Sequence, residues 1–413
     1  MRNRTPIPRI LCACVLTTLC HAVPPIDIAS LGARPDCISE SKPFLDLAFS
    51  LADTVLVPDG CFATSAFSVP AGKSLRGQGL NGTLSALTVP VGGSFIDVGS
   101  NAAIRSLAIR GGGKDANAIH TGPVHDILIE KLNIQGFLED GINCTNTGEN
   151  YPTEFRGGVI RENVVLNAGR GIFADYCYRL LISGNTLSNS SQSGIFASGD
   201  IDNVRVNGPD SRRWCSDIAI VGNSAVQALS ADEGIWASGC NRVLFKDNYV
   251  ENALDVGIDC EFCFNSTIEG NVAKSARNAE ISVYYYSNNI LIRKNTVFNN
   301  HPSQSSDPAF WVSAGIWVTK HQNRGILIQD NAIHCDYTKT SFARRGVWIM
   351  ESDEDVVLNR NSFDSGCPLN YANDPILTAS GNVSINDKVA TPYFRSVFPT
   401  LTETTHNIHL NNP

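Results

Sequence analysis

Short runs in which apolar and polar residues alternate fill the chain from about residue 102 to residue 365. A typical run is Gly-Ile-Trp-Ala at residues 234–237, matched by Gly-Ile-Asp-Cys at residues 257–260. Alternation over four or five residues is typical of β-strands, whereas a helical solenoid needs longer runs with a period near 3.6. The pattern therefore predicts many short strands.

A repeat of about 22 to 25 residues organises these strands in its tightest units, and such a period suits one coil of a β-solenoid. Each unit carries an asparagine, which can stack on its equivalents as a side-chain ladder. The asparagines are Asn163, Asn185, Asn223, Asn248, Asn271, Asn295, Asn331 and Asn361. The paired strands begin at Gly141, Gly171, Gly194, Gly234, Gly257, Glu280, Gly315 and Gly346.

The amino-terminal part has a different pattern. Lys42–Ala52 has helical periodicity, and Asp53–Pro58 reads as a first strand. D-I-A-S-L-G-A at residues 27–33, this helix, V-L-V-P-D-G-C-F at 55–62 and S-L-R-G-Q-G at 74–79 together resemble the opening of the pectate-lyase-like superfamily. The resemblance implies a right-handed parallel β-helix, a fold found in polysaccharide lyases, epimerases, glycoside hydrolases and phage tailspikes.

The predicted architecture is thus all-β, a right-handed parallel β-helix with a short helical N-terminal cap. Residues 1–22 read as a secretory signal, because arginines precede a short apolar run that ends in small residues. Residues 23–101 are expected to form the cap and first coils, 102–365 the repeats, and 366–413 a C-terminal cap and tail. We expect a secreted or periplasmic protein that is not held in a membrane, since no later segment has the roughly twenty apolar residues of a span.

The net charge of the chain limits the classes of binding partner that we expect. The formal net charge is -8 and the sequence pI is near 5.5, which disfavours nucleic-acid binding. No phosphate loop, dinucleotide fingerprint, GxSxG elbow or HExxH helix occurs. Within the resembling superfamily, the signatures of polygalacturonases and alginate epimerases are also missing, so the resemblance leaves the catalytic residues open.

In each Gly-Ile-x-x-x strand the aliphatic residue should point inward, so the residues two and four places after the glycine should face outward. The first outward column would contain Asn143, Phe173, Phe196, Trp236, Asp259, Ser282, Trp317 and Trp348. The second would contain Thr145, Asp175, Ser198, Ser238, Glu261, Tyr284, Thr319 and Met350.

Aromatic residues dominate the first column, which is unusual for a solvent-facing row. Flat rings suit sugar rings, so we expect a polysaccharide or oligosaccharide to bind here. The alternative is that an inserted loop or a partner subunit covers the row, which leaves a homo-oligomer open. The predicted substrate-binding residues are Phe173, Asp175, Phe196, Trp236, Tyr284, Trp317, Lys320 and His321.

Acidic residues gather at the middle of the same face. Adjacent coils should lie about 4.8 Å apart and a two-residue step spans about 6.6 Å, separations that suit the carboxylate pair of a glycosidase. The catalytic candidates are Asp259 and Glu261, with Glu280, Asp232 and Glu233 as contenders. Calcium held by clustered carboxylates is an alternative, although no cofactor is required, and turn capping is the structural alternative for Asp232.

Two further functions stay open. A lyase or epimerase of acidic sugars would need calcium or a basic group, for which the candidates are Lys320, His321, Tyr284 and Tyr285. A non-catalytic glycan-binding or adhesion protein would use only the aromatic row.

Thirteen cysteines are present, and the ten beyond residue 22 suit disulfides in an oxidising compartment. Cys37 and Cys61 are predicted to join the cap, and Cys240 and Cys263 to pair because they share one offset on successive coils. Further candidate pairs are Cys177 with Cys215 and Cys335 with Cys367, whereas Cys144 and Cys260 should be core thiols.

Overall fold

The structure is a computed structural model. It describes residues 23–145, 156–201, 215–227, 233–300, 313–319, 323–335, 344–349, 354–364, 369–370, 383–388 and 408–410. The predicted signal lies outside the described residues. None of the described helices is long and apolar enough to cross a membrane.

The described chain is a coil of parallel strands, as the repeat predicts. Each coil contributes one strand to each of three parallel ladders, which we call sheets 1, 2 and 3. Sheet 1 has twelve strands, and each pairs in parallel with the equivalent strand of the next coil. They are Phe67–Val69, Gly93–Val98, Ala116–Thr121, Asp140–Thr145, Arg170–Asp175, Ser193–Ser198, Glu233–Ser238, Val256–Glu261, Ala279–Tyr284, Ser313–Thr319, Arg344–Ile349 and Leu369–Asn370.

Sheet 2 runs along the whole described chain and ends in one antiparallel strand, Ile408–Leu410. Its parallel strands are Ile26–Asp27, Thr54–Val57, Ser74–Gly77, Ala103–Arg105, His125–Glu130, Arg156–Arg161, Tyr178–Ser183, Cys215–Val221, Cys240–Lys246, Phe264–Glu269, Asn288–Arg293, Arg324–Gln329, Glu354–Phe363 and Val383–Lys388.

Sheet 3 is built from shorter strands and joins sheet 2 through Glu354–Phe363, which pairs with strands of both sheets. Its own strands are Asp36–Glu40, Gly60–Thr64, Gly82–Ala86, Ala108–Lys114, Asn133–Phe137, Val164–Leu166, Thr186–Ser188, Ser224–Val226, Tyr249–Glu251, Val272–Lys274, Thr296–Asn299 and Ala332–Cys335.

A helix covers the amino-terminal end of the coil. It spans Lys42–Leu51, within one residue of the prediction, after a short 3-10 turn at Ala29–Leu31. Leu45, Ala48 and Phe49 are buried, so the apolar side of the helix packs on the first coils. The following strand, Thr54–Val57, lies inside the predicted range.

Aliphatic side chains stacked coil upon coil fill the interior. In sheet 1 the residue after each opening glycine is fully buried and lies beside its equivalent in the next coil. These residues are Ile142, Ile172, Ile195, Ile235, Ile258, Ile281, Ile316 and Val347. The opening glycine itself is needed for close approach, since a Cβ at Gly234 would lie 2.6 Å from the carbonyl oxygen of Gly257.

The predicted asparagine ladder is confirmed at all eight positions, which are each at most 2% exposed. The Asn185 Nδ2 donates to the Ile160 carbonyl at 3.0 Å and to Asn223 Oδ1 at 2.9 Å. Its own Oδ1 accepts from the backbone N–H of Asn163 at 3.0 Å. Because the buried side-chain amides are paired in this way, the ladder holds successive coils in register at their shared turn.

The cysteine predictions have mixed outcomes. Cys37 and Cys61 form the predicted disulfide, with their Cα atoms 4.9 Å apart. Cys335 is also disulfide-bonded, and its predicted partner Cys367 lies outside the described residues. Cys144 and Cys260 are buried thiols, as predicted.

The Cys240–Cys263 disulfide prediction is wrong, and so is the Cys177–Cys215 pairing, because all four are free buried thiols. Residues stacked in parallel register direct their Cβ atoms in the same direction, whereas a disulfide needs the two Cβ atoms to approach to about 3.8 Å. The Cys240 thiol instead donates to the Ser238 carbonyl at 3.4 Å. A shared offset in the repeat thus produces a stack of thiols.

One prediction tests the ladder. We expect Asn185→Ala to lower the free energy of unfolding by about 2–4 kcal/mol, because it leaves buried backbone groups of two neighbouring coils without partners. Thr186→Ala is the matched control, since Thr186 is adjacent and exposed. Urea unfolding measures both variants, and equal effects would contradict a special role for the ladder.

Candidate functional site

The outer face of sheet 1 carries the two predicted columns of side chains. Every residue of the first column is the register partner of the next, from Asn143 to Trp348. The second column is likewise continuous from Thr145 to Thr319, and Met350 lies outside the described residues. Because Ile258 and Cys260 point into the core, Asp259 and Glu261 point outward, as the alternation predicts.

The aromatic residues do not present their faces to solvent as a sugar platform would require. Phe173 and Phe196 stack with their centroids 5.3 Å apart, and Phe196 and Trp236 stack at 3.9 Å with an interplanar angle of 8°. Trp317 and Trp348 form a second stack at 5.4 Å. In-register rings therefore pack on one another, and a ligand would meet ring edges or the end of a stack.

Asp259 and Ser282 interrupt the aromatic column between these two stacks. Trp236 is the register partner of Asp259, and Ser282 is the register partner of Trp317. The Ser282 hydroxyl donates a hydrogen bond to Asp259 Oδ1. The gap in the column is therefore polar, with a tryptophan on either side along the solenoid axis.

Asp259 is the most strongly perturbed carboxyl group on this face. It is 2% exposed. Burial and the neighbouring Glu261 carboxylate raise the pKa of Asp259 well above its usual range, against the hydrogen bond from Ser282. Glu261, two residues further on, is half-buried and accepts a hydrogen bond from the Ser238 hydroxyl at 3.4 Å. The pair therefore combines a buried carboxyl group of raised pKa with a more exposed one.

The other acidic candidates divide into distinct environments. Glu233 is half-buried at the start of its strand, and its charge contributes to the raised pKa of Asp259. Asp255 accepts a hydrogen bond from Asn278 Nδ2 at 2.6 Å, which supports a turn-capping role. Asp232 lies outside the described residues.

Glu280 is not an outward residue. It occupies the glycine position of the repeat beside Gly257, is fully buried, and accepts from the Ala276 backbone N–H at 3.2 Å. A side chain at this position points away from the outer face, so the structure does not bring Glu280 to the Asp259 and Glu261 pair. Its inclusion among the catalytic candidates is therefore corrected.

The candidates for a base are few. Tyr284 is 4% exposed and contacts Trp317 edge-on, with the ring centroids 5.1 Å apart. Burial and the nearby Asp259 and Asp255 raise the pKa of the Tyr284 hydroxyl well above its usual range, which makes deprotonation harder. Lys320 and His321 lie outside the described residues.

A second polar cluster lies three coils towards the amino terminus. Arg170 donates from Nε to Asp140 Oδ1 at 2.7 Å, and its guanidinium lies 3.6 Å from the centroid of the Phe173 ring. Asp175, in the same column as Glu261, is half-buried, and burial raises its pKa to about 6 against a hydrogen bond from Ser198.

The first column also continues further than the sequence predicted. Asp97 and His120 precede Asn143 in register, and the His120 Nδ1 lies 3.1 Å from Asp97 Oδ1. The glycine-based offset does not reach them, because Phe95 and Ala118 stand in their strands where later coils have glycine. Counting back from the aligned isoleucine Ile119 would have found both residues.

Three buried donors on this face have no hydrogen-bond acceptor within the described part of the chain. They are the indole N–H groups of Trp236 and Trp317 and the Ser193 hydroxyl. Trp317 is 9% exposed and Ser193 is 2% exposed. Unsatisfied buried donors are costly, so a bound polar molecule would relieve them.

The described residues contain no group of three His, Cys, Asp or Glu side chains arranged to hold a metal ion. Calcium binding therefore stays a prediction from the sequence.

Comparisons with known proteins agree with the fold. The family model described as "Right handed beta helix region" matches residues 212–386. No curated protein sequence matches significantly.

Several solved structures are similar over most of the chain. The A-module of the mannuronan C-5 epimerase AlgE4 from Azotobacter vinelandii has a TM-score of 0.67 at 15% identity, over 87% of this chain and 99% of that one. The GH87 α-1,3-glucanase catalytic unit from Streptomyces thermodiastaticus has a TM-score of 0.65 at 14% identity, over 88% of this chain and 68% of that one.

A hyperthermoactive exopolygalacturonase from Thermotoga maritima has a TM-score of 0.59 at 11% identity, over 83% of this chain and 92% of that one. Identities this low establish shared architecture only. The chain is therefore a right-handed parallel β-helix.

Proposed function

We propose that the protein is an exported carbohydrate-active enzyme that cleaves an extracellular polysaccharide, and that it does so by hydrolysis. Asp259 is the general acid, and Glu261 is the ionised partner that acts as base or nucleophile. Glu233 supplies further negative charge from the adjacent coil.

The observation that carries this proposal is the burial of Asp259 beside a second, more exposed carboxyl group, Glu261. Hydrolysis of a glycosidic bond needs one carboxyl group that holds its proton and one that has lost it. Asp259 is buried beside Glu261, and burial raises its pKa. Their Cα atoms are separated by a two-residue strand step of about 6.6 Å, so both side chains leave the same face close enough to reach one sugar.

The surroundings of the pair suit a sugar. Hydroxyl groups of a bound glycan would accept hydrogen bonds from the indole N–H groups of Trp236 and Trp317, which have no acceptor among the described residues. Binding in the gap at Asp259 and Ser282 would also place the sugar between the ends of the two aromatic stacks. The sugar would therefore contact ring edges and indole N–H donors, whereas the sequence predicted an open platform of ring faces.

The similar structures include an α-1,3-glucanase, an exopolygalacturonase and a mannuronan epimerase, and these three are carbohydrate-active enzymes. Elimination or epimerisation needs a base beside the sugar carboxylate. The raised pKa of Tyr284 weakens one of the candidates for that role. Hydrolysis is therefore favoured over the lyase or epimerase alternative.

Asp175 is a second candidate for the proton donor. It is half-buried in the same column as Glu261, and its pKa of about 6 lies in the range used by catalytic acids. The pH dependence of its variants separates the two carboxyl groups.

The first test identifies the products and the residues. We expect the purified protein to release new reducing ends from at least one polymer in a panel of neutral and uronate polysaccharides, without the ultraviolet absorbance of unsaturated products. Asp259→Asn and Glu261→Gln should each lower the rate at least about 100-fold, the usual loss when an acid or base is removed.

Asp217→Asn is the control, because Asp217 lies on the outer face of sheet 2 and pairs with Arg242 at 2.6 Å. Detection of unsaturated products would show that the enzyme cleaves by elimination and would overturn the proposal of hydrolysis. Full activity of both the Asp259 and Glu261 variants would remove this pair from the mechanism, and glycan binding without turnover on the whole panel would favour the adhesion alternative.

The second test uses stability. An aspartate whose pKa is raised by folding contributes most stability below its unfolded pKa, and this contribution falls as pH rises above about 4. We therefore expect Asp259→Asn to raise the melting temperature at pH 8 while changing it little at pH 4.

Asp217→Asn should do the opposite at pH 8, because the hydrogen bond from Arg242 lowers the pKa of Asp217, and stability from that pair is lost only as pH falls. Thermal scans from pH 4 to pH 8 measure both variants. A lower melting temperature of Asp259→Asn at pH 8 would show that Asp259 is ionised in the folded protein.

The third test distinguishes the two acids. With Asp259 as donor, we expect Asp175→Asn to lower kcat less than about 10-fold and to leave the fall of kcat at alkaline pH in place. If the change of kcat near pH 6 disappears from the pH profile of this variant, Asp175 is the proton donor.

A further inference from the structure

The outer face of sheet 2 carries a continuous line of aliphatic side chains, which we call the aliphatic stripe. Nine successive strands place one residue each at the same register position, and eight of the nine are Leu, Val or Ala. The residues are Leu128, Val159, Leu181, Ala219, Leu244, Thr267, Leu291, Leu327 and Val357. All nine keep solvent exposure, and Leu181 is 36% exposed.

The stripe is apolar although its side chains point outward. Residues on either side of each stripe position point inward, as Val243 and Phe245 do around Leu244. A strand with one solvated face normally places polar residues outward, and long lines of exposed aliphatic residues tend to mark contacts with another surface.

Charged residues border the stripe on both sides. Arg161 pairs with Glu130 at 2.6 Å on one border, and Arg242 pairs with Asp217 at 2.6 Å on the other. An apolar centre with a polar, charged rim is the usual composition of a protein interface. A rim that contains both signs of charge also lets the same surface face itself without strong repulsion.

We propose that a second copy of this chain docks on the aliphatic stripe, so that two β-helices pack with their second sheets face to face. Nine coils at about 4.8 Å and strands of about 20 Å give a face of about 38 by 20 Å, or roughly 760 Å². A standard interface buries about 800 Å² on each partner. The area is therefore sufficient for a stable dimer.

The even spacing of the stripe explains why a copy of the same chain fits it. Side chains of similar size recur at each coil, so the row of one copy can lie along the row of the other, as in a dry sheet-to-sheet interface. A two-fold dimer that matches the whole stripe places the fifth of the nine positions, Leu244, opposite its own copy. This holds whether the two solenoids run parallel or antiparallel.

The first experiment measures the assembly state of the full chain. Sedimentation velocity should show a dimer for the wild type, and Leu181→Lys should shift it at least about 10-fold towards monomer. Thr186→Lys is the matched control, since Thr186 is exposed and lies on sheet 3, away from the docking face. A monomeric wild type, or equal behaviour of the two variants, overturns the proposal.

The second experiment locates the contact and does not depend on a destabilising charge. Leu244→Cys should give a disulfide-linked dimer under mild oxidation, whereas the six free thiols among the described residues are buried. Leu128→Cys, at the end of the stripe, should cross-link only if the solenoids run parallel. Failure of Leu244→Cys to cross-link in a dimer places the interface elsewhere. If the Leu244→Cys variant is a monomer and its introduced thiol resists alkylation, the chain's own residues cover the stripe. Either result overturns the proposal.

Discussion

The buried asparagine ladder is the interaction on which the rest of the molecule depends. Each ladder asparagine bonds both the backbone and the side chain of its equivalent in an adjacent coil, for example from Asn223 to Asn248 at 2.9 and 3.0 Å. The chain length between successive members varies from 22 residues, between Asn163 and Asn185, to 38 residues, between Asn185 and Asn223. The ladder nevertheless stays continuous, so longer coils carry their extra residues outside it and the strands remain in register.

Continuous register turns single sequence positions into long columns on the outer faces. In sheet 1 the column is aromatic until Asp259 and Ser282 interrupt it. Covered by its neighbours, a carboxyl group there loses hydration, and its pKa is raised because burial disfavours the charged form. The proposed chemistry is therefore a consequence of placing one acid in a column that is otherwise built for stacking.

The same regularity accounts for the aliphatic stripe on sheet 2, where one outward position is apolar in nearly every coil. The two faces use repetition differently. A ligand site needs a local departure from the repeat, as at Asp259, whereas a self-interface benefits from an unbroken repeat that a second copy can match. One solenoid can thus carry a chemical site and an assembly surface on separate sheets.

Periodicity in the sequence was enough to predict the solenoid, the ladder and both columns of sheet 1, because strand alternation and a constant offset from the glycine are local properties of the chain. It could not predict that Phe173, Phe196 and Trp236 stack on one another, since ring orientation depends on the spacing of about 4.8 Å between coils. It also listed Glu280, which is buried, among the acids of the site and joined Cys240 to Cys263, because a shared offset does not show how deeply a side chain is buried or how closely two Cβ atoms approach. Packing between coils decided those features, and it alone distinguishes the buried Asp259, with its raised pKa, from its half-buried neighbour Glu261.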